Sequence, residues 1–259
     1  MENDDRMLNL ERHTKILELI GERGRVEVSE LSRLFRISEV TIRNDLKGLH
    51  KRGLVRRAHG GAIRVDTISV DASLQVKAAL RADEKQRIGA AAAALINDGD
   101  SIILDSGTTT QHIAKHIKDR KDVTVITNGI NVAMELLGVQ GVRLVLLGGM
   151  VRQNSYSAVG HFAEDMLKQL SADKLFLAVD AFDLDFGLST PNPEESKINQ
   201  LMVQIANETI LVADSSKFGR RSLSHIVPLS AIDKIITDSS LATETQGKLR
   251  ARGVELVLV

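Results

Sequence analysis

The chain of 259 residues is 43% hydrophobic and 26% charged, so it can bury a core and hold one large domain or a small domain beside a medium one. Its lack of cysteine excludes disulfides, thiolate catalysis and cysteine-ligated metal. No apolar stretch approaches the length of a membrane span and the N-terminus is too charged for a secretory signal, so we expect a cytoplasmic protein.

Charge is unevenly distributed along a chain whose formal net charge is zero. Residues 1–65 carry 14 basic and 10 acidic side chains, a balance of +4, and the remainder carries 20 and 24, a balance of −4. Within residues 36–64 the basic side chains outnumber the acidic ones by eight to two. A basic segment in an otherwise neutral protein indicates a polyanionic partner such as nucleic acid.

Three helices are predicted in the first 50 residues. Thr14 and Ser29 can cap the first two, and a short extended piece at residues 26–28 separates them. After a tight connection, Ser38 can cap a third helix over residues 39–50. Two helices joined by a short turn at this spacing predict a helix-turn-helix.

The third helix has two distinct faces. At 100° per residue, Ile42, Leu46 and Leu49 lie together and should pack on the other helices. The remaining side chains suit a major groove, because Arg and Lys reach guanine or phosphate, Asn pairs with adenine and Val contacts a thymine methyl. The candidate DNA-contacting residues of this helix are Ser38, Val40, Thr41, Arg43, Asn44 and Lys47.

A basic turn follows the third helix. Gly53 permits a turn, and residues 54–57 are predicted to form a strand. A two-stranded wing carrying Arg56, Arg57 and His59 would contact phosphates or the minor groove. The alternative is a three-helix module that binds protein and has a solvated charged face. The cap, the helix face, the basic turn and the charge asymmetry together favour DNA binding.

The rest of the chain predicts a second domain. Residues 66–80 show little periodicity and are interpreted as a linker or as the first strand of the next domain, and a helix is predicted over residues 83–96. Aliphatic runs then alternate with amphipathic ones, which predicts an α/β domain with a mainly parallel sheet. The predicted strands are residues 101–104, 123–126, 143–147, 174–179, 209–213, 234–237 and 254–259. The predicted helices are residues 109–117, 130–137, 162–170, 194–207 and 242–252. The expected domains are residues 1–65 and 81–259.

Polar and glycine residues follow five of the predicted strands. The clearest group begins at Asp105, where Gly107 permits a tight turn and the hydroxyls and free amides of the next helix can bind an oxyanion. Neither a P-loop nor a dinucleotide-binding glycine motif is present. Because open parallel sheets bind ligands beyond the carboxyl ends of their strands, these groups predict a pocket for a polyhydroxylated, phosphorylated ligand.

These motifs resemble the DeoR family of bacterial repressors over nearly the whole chain. Residues 12–63 match its winged helix-turn-helix through V-S-E-L-S-R-L-F, S-E-V-T-I-R-N-D-L and R-A-H-G-G-A. The second half matches through D-S-G-T-T-T, V-I-T-N-G, L-L-G-G-x-x-R, V-D-A-F-D and D-S-S-K-F-G. Asn44 stands where most members carry a basic residue, a variant similar to the regulators of N-acetylgalactosamine use. The segment A-D-S-S-K-F-G-R-x-S also resembles sorbitol and galactitol regulators.

The resemblance implies a sensor domain similar to the folds of ribose-phosphate isomerase and glucosamine-phosphate deaminase. It implies that the phosphate-side loop consists of Asp105, Gly107, Thr108, Thr109 and Thr110. It further implies pocket residues Asn128, Gly148, Gly149 and Arg152, sugar-facing carboxylates Asp180 and Asp183, and the cation Lys217. The start of the helix after Pro193 could complete the pocket through Glu194, Glu195 and Lys197, or could be a solvated helix end.

Two functions follow from these patterns. The first is a repressor of a carbohydrate-utilisation operon, without catalytic residues, metal or cofactor, whose partners are operator DNA and a phosphorylated amino-sugar or hexitol. Such a repressor is expected to be a homodimer or homotetramer, because helix-turn-helix proteins commonly read operators as dimers. The alternative is an active sugar-phosphate isomerase or deaminase with an appended DNA-binding domain, since Asp180 and Asp183 keep the spacing of paired isomerase aspartates.

Overall fold

The computed structural model describes residues 2–64 and 71–259. The chain divides into two compact units, Met1–Leu80 and Arg81–Val259. Within the described ranges, none of the helices combines the length and the apolar composition needed to cross a membrane.

The described residues of the first unit form four helices and three short strands. Its elements are α1 (Glu2–Arg23), β1 (Arg25–Glu27), α2 (Val28–Phe35), α3 (Glu39–Lys51), β2 (Val55–Ala58), β3 (Gly61–Arg64) and α4 (Leu74–Ala79). Ile16 and Ile20 of α1, Leu31 of α2 and the inner face of α3 form a single apolar core. The predicted helix-turn-helix is therefore confirmed, with its helices held by one cluster of aliphatic side chains.

Two predicted helix caps in this unit were wrong, and the predicted wing has one more strand than expected. Thr14 lies inside α1 rather than at its start, and α2 begins at Val28, so Ser29 does not cap it. Arg25–Glu27 pairs with β3 and extends the wing to a three-stranded sheet of order β1-β3-β2, a long-range pairing that local sequence does not reveal. Residues 74–79 of the predicted linker are helical, which removes the alternative of a strand there, and residues 65–70 lie outside the described chain.

The second unit is an α/β domain. Its first half comprises α5 (Ala82–Ala93), β4 (Ser101–Leu104), α6 (Thr108–His116), β5 (Val123–Thr127), α7 (Ile130–Leu136), β6 (Val142–Leu146), β7 (Met150–Arg152), β8 (Ser157–Val159) and α8 (His161–Leu167). Its second half comprises β9 (Ala172–Leu177), β10 (Ala181–Asp183), β11 (Gly187–Thr190), α9 (Pro193–Ile205), β12 (Ala206–Val212), β13 (Ser224–His225), β14 (Lys234–Thr237), α10 (Thr243–Ala251) and β15 (Glu255–Leu258).

A seven-stranded sheet forms the centre of this unit, in the order β15-β14-β12-β9-β4-β5-β6. Every neighbouring pair is parallel. These are the seven predicted strands, and each contains two or three consecutive apolar residues, as expected of strands whose two faces are covered by helices. The predicted fold class is confirmed.

The strand order reverses beside β4. The chain builds β4, β5 and β6 outward in one direction and then crosses back to place β9 on the other side of β4. The connections therefore leave β4 and β9 in opposite directions, which opens a crevice at their carboxyl ends. This crevice is where such a sheet binds its ligand.

Two smaller antiparallel sheets lie at the carboxyl ends of the strands of the central sheet, which we call the carboxyl edge. One is the ribbon β7-β8 and the other has the order β10-β11-β13. A single bridge between Gly129 and Ser157 joins the ribbon to the end of β5. On one face of the central sheet, α5 packs so closely on α6 that a Cβ on Gly89 would lie 2.6 Å from the Cβ of His112.

Candidate nucleic-acid interface and ligand site

The start of α3 has the predicted cap. The hydroxyl of Ser38 accepts a hydrogen bond from the backbone N–H of Thr41 at 3.2 Å, and the two side-chain hydroxyls lie 2.9 Å apart. These two hydroxyl groups are thus already used in capping the start of the helix, which supports a positioning role for Ser38 and Thr41 beside any contact with DNA.

The outer face of α3 is available to a groove. Val40, Arg43, Asn44 and Lys47 are all exposed, while the predicted inner residues are buried. Arg43 forms an ion pair of 2.5 Å with Glu39, one turn earlier on the helix. Glu39 was not among the predicted contacts, although its spacing of four residues from Arg43 is a recognisable signal.

The wing presents the predicted basic residues to solvent. Arg56, Arg57 and His59 are exposed on β2 and on the turn that joins it to β3. Gly60 adopts a φ of 76°, which suits a two-residue hairpin turn. At Gly61 a Cβ would lie 2.0 Å from the carbonyl oxygen of Val26, so only glycine allows the wing to pack on β1 at this point.

A buried carboxylate anchors α3 to α1. Asp45 accepts hydrogen bonds from Arg12 Nε at 2.7 Å and Nη2 at 3.1 Å, and its Oδ1 lies 3.0 Å from His13 Nε2. Arg52 Nη2 lies 3.1 Å from the other ring nitrogen of His13. Sequence reasoning missed this cluster because its partners are more than thirty residues apart along the chain.

The loop after β4 is organised around Asp105. Its Oδ1 accepts hydrogen bonds from the N–H of Gly107 and the hydroxyl of Thr110, both at 2.9 Å, and its Oδ2 accepts one from the N–H of Ala178 at 3.0 Å. Thr110 is fully buried. Asp105 and Thr110, both predicted ligand contacts, therefore have their polar atoms engaged in holding the loop.

This loop lies in the crevice where the strand order reverses. The bond to Ala178 joins the end of β4 to the end of β9, and a Cβ on Gly107 would lie 2.5 Å from the Cβ of Ala178. Gly107 is thus required by close packing. Thr108 and Thr109 follow as the first residues of α6, whose leading N–H groups lack acceptors within the helix and face the crevice end.

Burial makes the carboxyl group of Asp105 a weaker acid than that of an ordinary aspartate. Removal of the carboxyl from water raises the pKa of Asp105 to about 7, although the hydrogen bonds from Gly107, Thr110 and Ala178 oppose this rise. The negative charge of Glu195 raises the pKa further. The crevice therefore holds a second carboxylate near Asp105, on α9.

The residues after β5 and β6 shape the neighbouring wall. Asn128 is buried, its side-chain N–H donates to the carbonyl of Ala158 at 3.2 Å, and its Oδ1 is a buried atom without a hydrogen-bond partner. Gly148 and Gly149 lie at the turn into β7, and both are exposed. At Gly149 the φ of 144° and a Cβ position 2.5 Å from the carbonyl of Val159 both require glycine.

Arg152 and Glu195 form the strongest electrostatic feature of this edge. Arg152 Nη1 lies 2.5 Å from Glu195 Oε1, and both side chains are nearly buried. The same oxygen accepts a hydrogen bond from Ser157 at 2.7 Å, and the hydroxyl oxygen of Thr190 lies 3.4 Å from the other oxygen. The sequence predicts Glu195 either as a pocket residue or as part of a solvated helix end, and its side chain lies in this buried network.

The structure separates the two predicted sugar-facing aspartates. Asp180 precedes β10 and accepts a hydrogen bond from Thr190 at 3.1 Å, which joins it to the Glu195 network. Asp183 ends β10, pairs with Arg221 at 2.8 Å and accepts hydrogen bonds from the N–H groups of Asp185 and Phe186. Arg221 and these amides hold the pKa of Asp183 below its usual value. Asp183 thus secures the β10–β11 hairpin, whereas Asp180 is joined to the network around Glu195.

The remaining predicted residues lie around this edge. Lys197 is exposed on α9, whereas Lys217 is half-buried at the end of a 3-10 helix, Ser215–Lys217, after β12. Asp238, which sequence reasoning missed, follows β14 and accepts hydrogen bonds from the N–H and hydroxyl of Ser215 at 2.6 and 3.0 Å. Across the described residues, no three His, Asp or Glu side chains are grouped so as to hold a metal ion.

Comparison with known proteins agrees with both halves of this description. The model of the DeoR-like helix-turn-helix domain matches residues 12–68, and that of the DeoR C terminal sensor domain matches residues 80–239. Over 251 residues the chain is 44% identical to the "Putative aga operon transcriptional repressor" of Escherichia coli O157:H7, covering 96% of this chain and 93% of that protein. It is 34% identical to the HTH-type transcriptional regulator GlpR of Haloferax volcanii, covering 97% and 98%.

Among solved structures, ribose 5-phosphate isomerase A from Methanocaldococcus jannaschii is similar over 53% of this chain and 54% of that chain, with 19% identity and a TM-score of 0.40. The two family models together span both units of the chain, and the curated relatives match nearly its full length. The chain belongs to the DeoR family of DNA-binding transcriptional regulators and is a regulator rather than an enzyme.

Proposed function

We propose that this regulator represses a carbohydrate-utilisation operon in the cytoplasm and is released from its operator by a phosphorylated sugar. The free protein, as a homodimer or homotetramer, binds operator DNA through α3 and the wing. Effector binding to the second unit favours a form with lower affinity for DNA, which requires that the effector bind the two forms with different affinities.

The observation that carries the proposal is the loop of residues 105–107, which leads from β4 into α6 in the crevice between β4 and β9. Asp105 and Gly107 hold the loop in place, and α6 begins directly after it with two threonine hydroxyls. A helix start of this kind stabilises an anion by its free N–H groups and its dipole. We assign the phosphate of the effector to Thr108, Thr109 and the backbone of this loop.

The rest of the effector is assigned to the polar wall of the crevice. Asp180, Thr190 and Glu195 supply acceptors for hydroxyl or amino groups, and Arg152 and Lys217 supply cationic donors. This mixture favours an amino-sugar or hexitol phosphate over an uncharged sugar. The relative that is named for repression of the aga operon supports a carbohydrate operon as the target.

A screen of effectors tests the proposal directly. The full-length protein is bound to a fluorescent fragment of the DNA upstream of its own gene, and anisotropy is recorded with galactosamine 6-phosphate, N-acetylgalactosamine 6-phosphate, galactitol phosphate and ribose 5-phosphate. We expect one of the first three to release the DNA and to raise the melting temperature. Release by none of the sugar phosphates, or release by the unphosphorylated sugars at equal concentration, would contradict the proposal.

A matched pair of variants locates the site. Thr108→Val removes a hydroxyl from the first residue of α6, and Thr243→Val makes the same change in the first residue of α10. The loss of a hydrogen bond to a charged group costs about 1.5–3 kcal/mol, so Thr108→Val should weaken effector binding by roughly 10- to 100-fold. Thr243→Val should leave it unchanged, and equal effects would remove the assignment of the phosphate.

A further inference from the structure

The two edges of the seven-stranded sheet differ in their surroundings. In the second unit, eight large apolar side chains are exposed, and all but Leu223 fall within residues 134–162, the segment of the chain that contains the edge strand β6. They are Met134, Leu137, Leu146, Met150, Val151, Tyr156 and Phe162. We call these seven residues the β6 patch. By contrast, none of the eight exposed large apolar side chains of the second unit belongs to β15, the strand at the opposite edge of the sheet.

The segment that carries the β6 patch is also poor in charge. Residues 134–162 contain three charged side chains in 29 positions, whereas 26% of the whole chain is charged. Two of the three are paired within the chain, Glu135 with Lys118 at 3.4 Å and Arg152 with Glu195 at 2.5 Å. A surface with this little charge favours an apolar partner over a nucleic acid or a charged peptide.

The backbone of β6 adds a second feature to the same surface. β6 pairs with β5 along one side, from Val142 to Leu146, and it ends the sheet on its other side. Edge strands of soluble proteins are usually protected by charge, proline or a bulge, because their outward N–H and C=O groups pair readily with another strand. Here the five-residue edge is aliphatic except for Arg143.

We propose that the β6 patch binds a second copy of this chain, with β6 pairing antiparallel to β6 of that copy across a two-fold axis. A two-fold axis places the same surface on both partners, so an apolar edge is complementary to itself. Side chains of this size offer on the order of 150–200 Å² when fully exposed, and the patch therefore presents roughly 700 Å², close to the ~800 Å² that each partner buries in a standard interface.

The β6 patch is the interface through which the oligomer of the proposed function would form. This inference rests on the proposed function only in taking a second copy of the chain, and not another protein, as the partner. Helix-turn-helix proteins read operators as two-fold dimers, so a self-complementary surface outside the DNA-binding unit is what such a reader needs. The pairing would join two seven-stranded sheets into one continuous sheet.

Sedimentation velocity on the full-length protein tests this interface. Leu146→Lys combined with Met150→Lys places two charges in the patch at exposed positions, and Leu223→Lys, which is half-exposed outside the patch, is the matched control. We expect the double variant to raise the dimer dissociation constant at least 100-fold and the control to leave it unchanged. Circular dichroism verifies that all three proteins are folded.

A single-cysteine variant tests the geometry, because the natural chain contains no cysteine. Leu144 is the middle residue of β6, and residues directly opposite in an antiparallel pair lie within the range of Cα separations that a disulfide bridges. Leu144→Cys should form a disulfide-linked dimer on mild oxidation, whereas Leu223→Cys should not.

The outcomes separate this proposal from the proposed function. A wild-type monomer, or a folded double variant that assembles like the wild type, would overturn the interface. If the wild type dimerises and the double variant does not, but the wild type binds no DNA, the proposed interface is supported and the proposed repressor function is contradicted. Leu144→Cys that stays monomeric under oxidation would overturn the antiparallel pairing.

Discussion

Asp45 joins the recognition helix to the helix that supports it. It is 7% exposed and lies on the inner side of α3, beside the outward residues Asn44 and Lys47. The guanidinium of Arg12 contacts both of its oxygens, and His13 contacts one. Buried ion pairs add little net stability compared with apolar side chains of similar volume, but they restrict geometry. We infer that Asp45 sets the rotation of α3 about its axis.

Variants of this pair should separate stability from DNA reading. Arg12→Met leaves Asp45 buried without its main partner and should lower the free energy of unfolding by roughly 3–5 kcal/mol. Arg12→Met with Asp45→Leu should recover most of that stability, and yet bind the operator at least tenfold more weakly than the wild type. Chemical denaturation and anisotropy measure the two quantities. Wild-type affinity in the double variant would show that the ion pair does not position α3.

Asp105 makes stability depend on pH in the opposite sense to most carboxylates. Its pKa is raised to about 7 by burial, so the folded protein holds a proton that the unfolded chain releases near its ordinary value of 3.8. The folded state therefore binds more protons between these values, and stability falls as pH rises. The contribution of Asp105 to the free energy of unfolding is fully present below about pH 4 and is lost as pH rises through about 7. Between these values the free energy of unfolding falls by about 1.4 kcal/mol per pH unit.

The pH dependence of unfolding checks this sign. Between pH 5 and pH 8 the free energy of unfolding of Asp105→Asn should fall less steeply with pH than that of the wild type. Asp183→Asn is the matched control, because Arg221 lowers the pKa of Asp183 and its contribution is lost only as pH falls through that lowered value. A wild type and an Asp105→Asn variant with equal slopes would rule out this titration.

Individual residues were predictable where the local backbone decides their type. Gly107 must be small because of Ala178, and a glycine between a strand and a helix signals such a turn. Glu195 and Asp45 show the limit, since a carboxylate at a helix start or within a helix is usually solvated. Their partners, Arg152 and Arg12, become neighbours only through tertiary packing.

At the scale of elements, α3 is expected to act as one reading surface. Arg43→Ala with Lys47→Ala should weaken operator binding by about 1–3 kcal/mol for each base that is no longer bound, and should reduce the salt dependence by about one unit of slope for each phosphate that is no longer neutralised. Titrations at several salt concentrations measure both quantities. Lys168→Ala with Lys248→Ala removes the same charge from the second unit and should change neither. Unchanged operator binding in the first variant would favour a protein-binding module.

Long elements were predictable and short ones were not. The strands of the central sheet contain four to seven residues, and each includes a run of two or three consecutive apolar residues that is visible in the sequence. β7, β8, β10, β11 and β13 contain two to four residues each, too few for any periodicity to appear. They exist because distant segments pair at the carboxyl edge. The network around Glu195 depends on this edge and was therefore beyond local reasoning.

For the whole molecule, alternation of strands and helices predicted the α/β class but not the strand order. The position of β9 beside β4 depends on a long crossover from β6, and no local pattern specifies it. Two units were expected from the change in charge and periodicity. We retain residues 66–80 as a proposed linker, part of which is helical.

Regulation by an effector must be reciprocal in the whole molecule. If the effector weakens operator binding by a given factor, the operator must weaken effector binding by the same factor. We expect this factor to lie between about 5 and 150, which corresponds to roughly 1–3 kcal/mol. Calorimetric titration of the effector into free protein and into the protein–operator complex measures it. Equal effector affinities in the two titrations would exclude regulation by this route.

The close approach of Gly89 to His112 bears on how that coupling is transmitted. α6 begins at the proposed phosphate loop, and α5 begins at Ala82, immediately after the end of the first unit. Because Gly89 has no side chain, the backbone of α5 rests directly on α6, and no rotamer change can absorb a displacement there. The two helices should move as a rigid pair, so a displacement of α6 on effector binding would displace α5, which begins the second unit, by nearly the same distance.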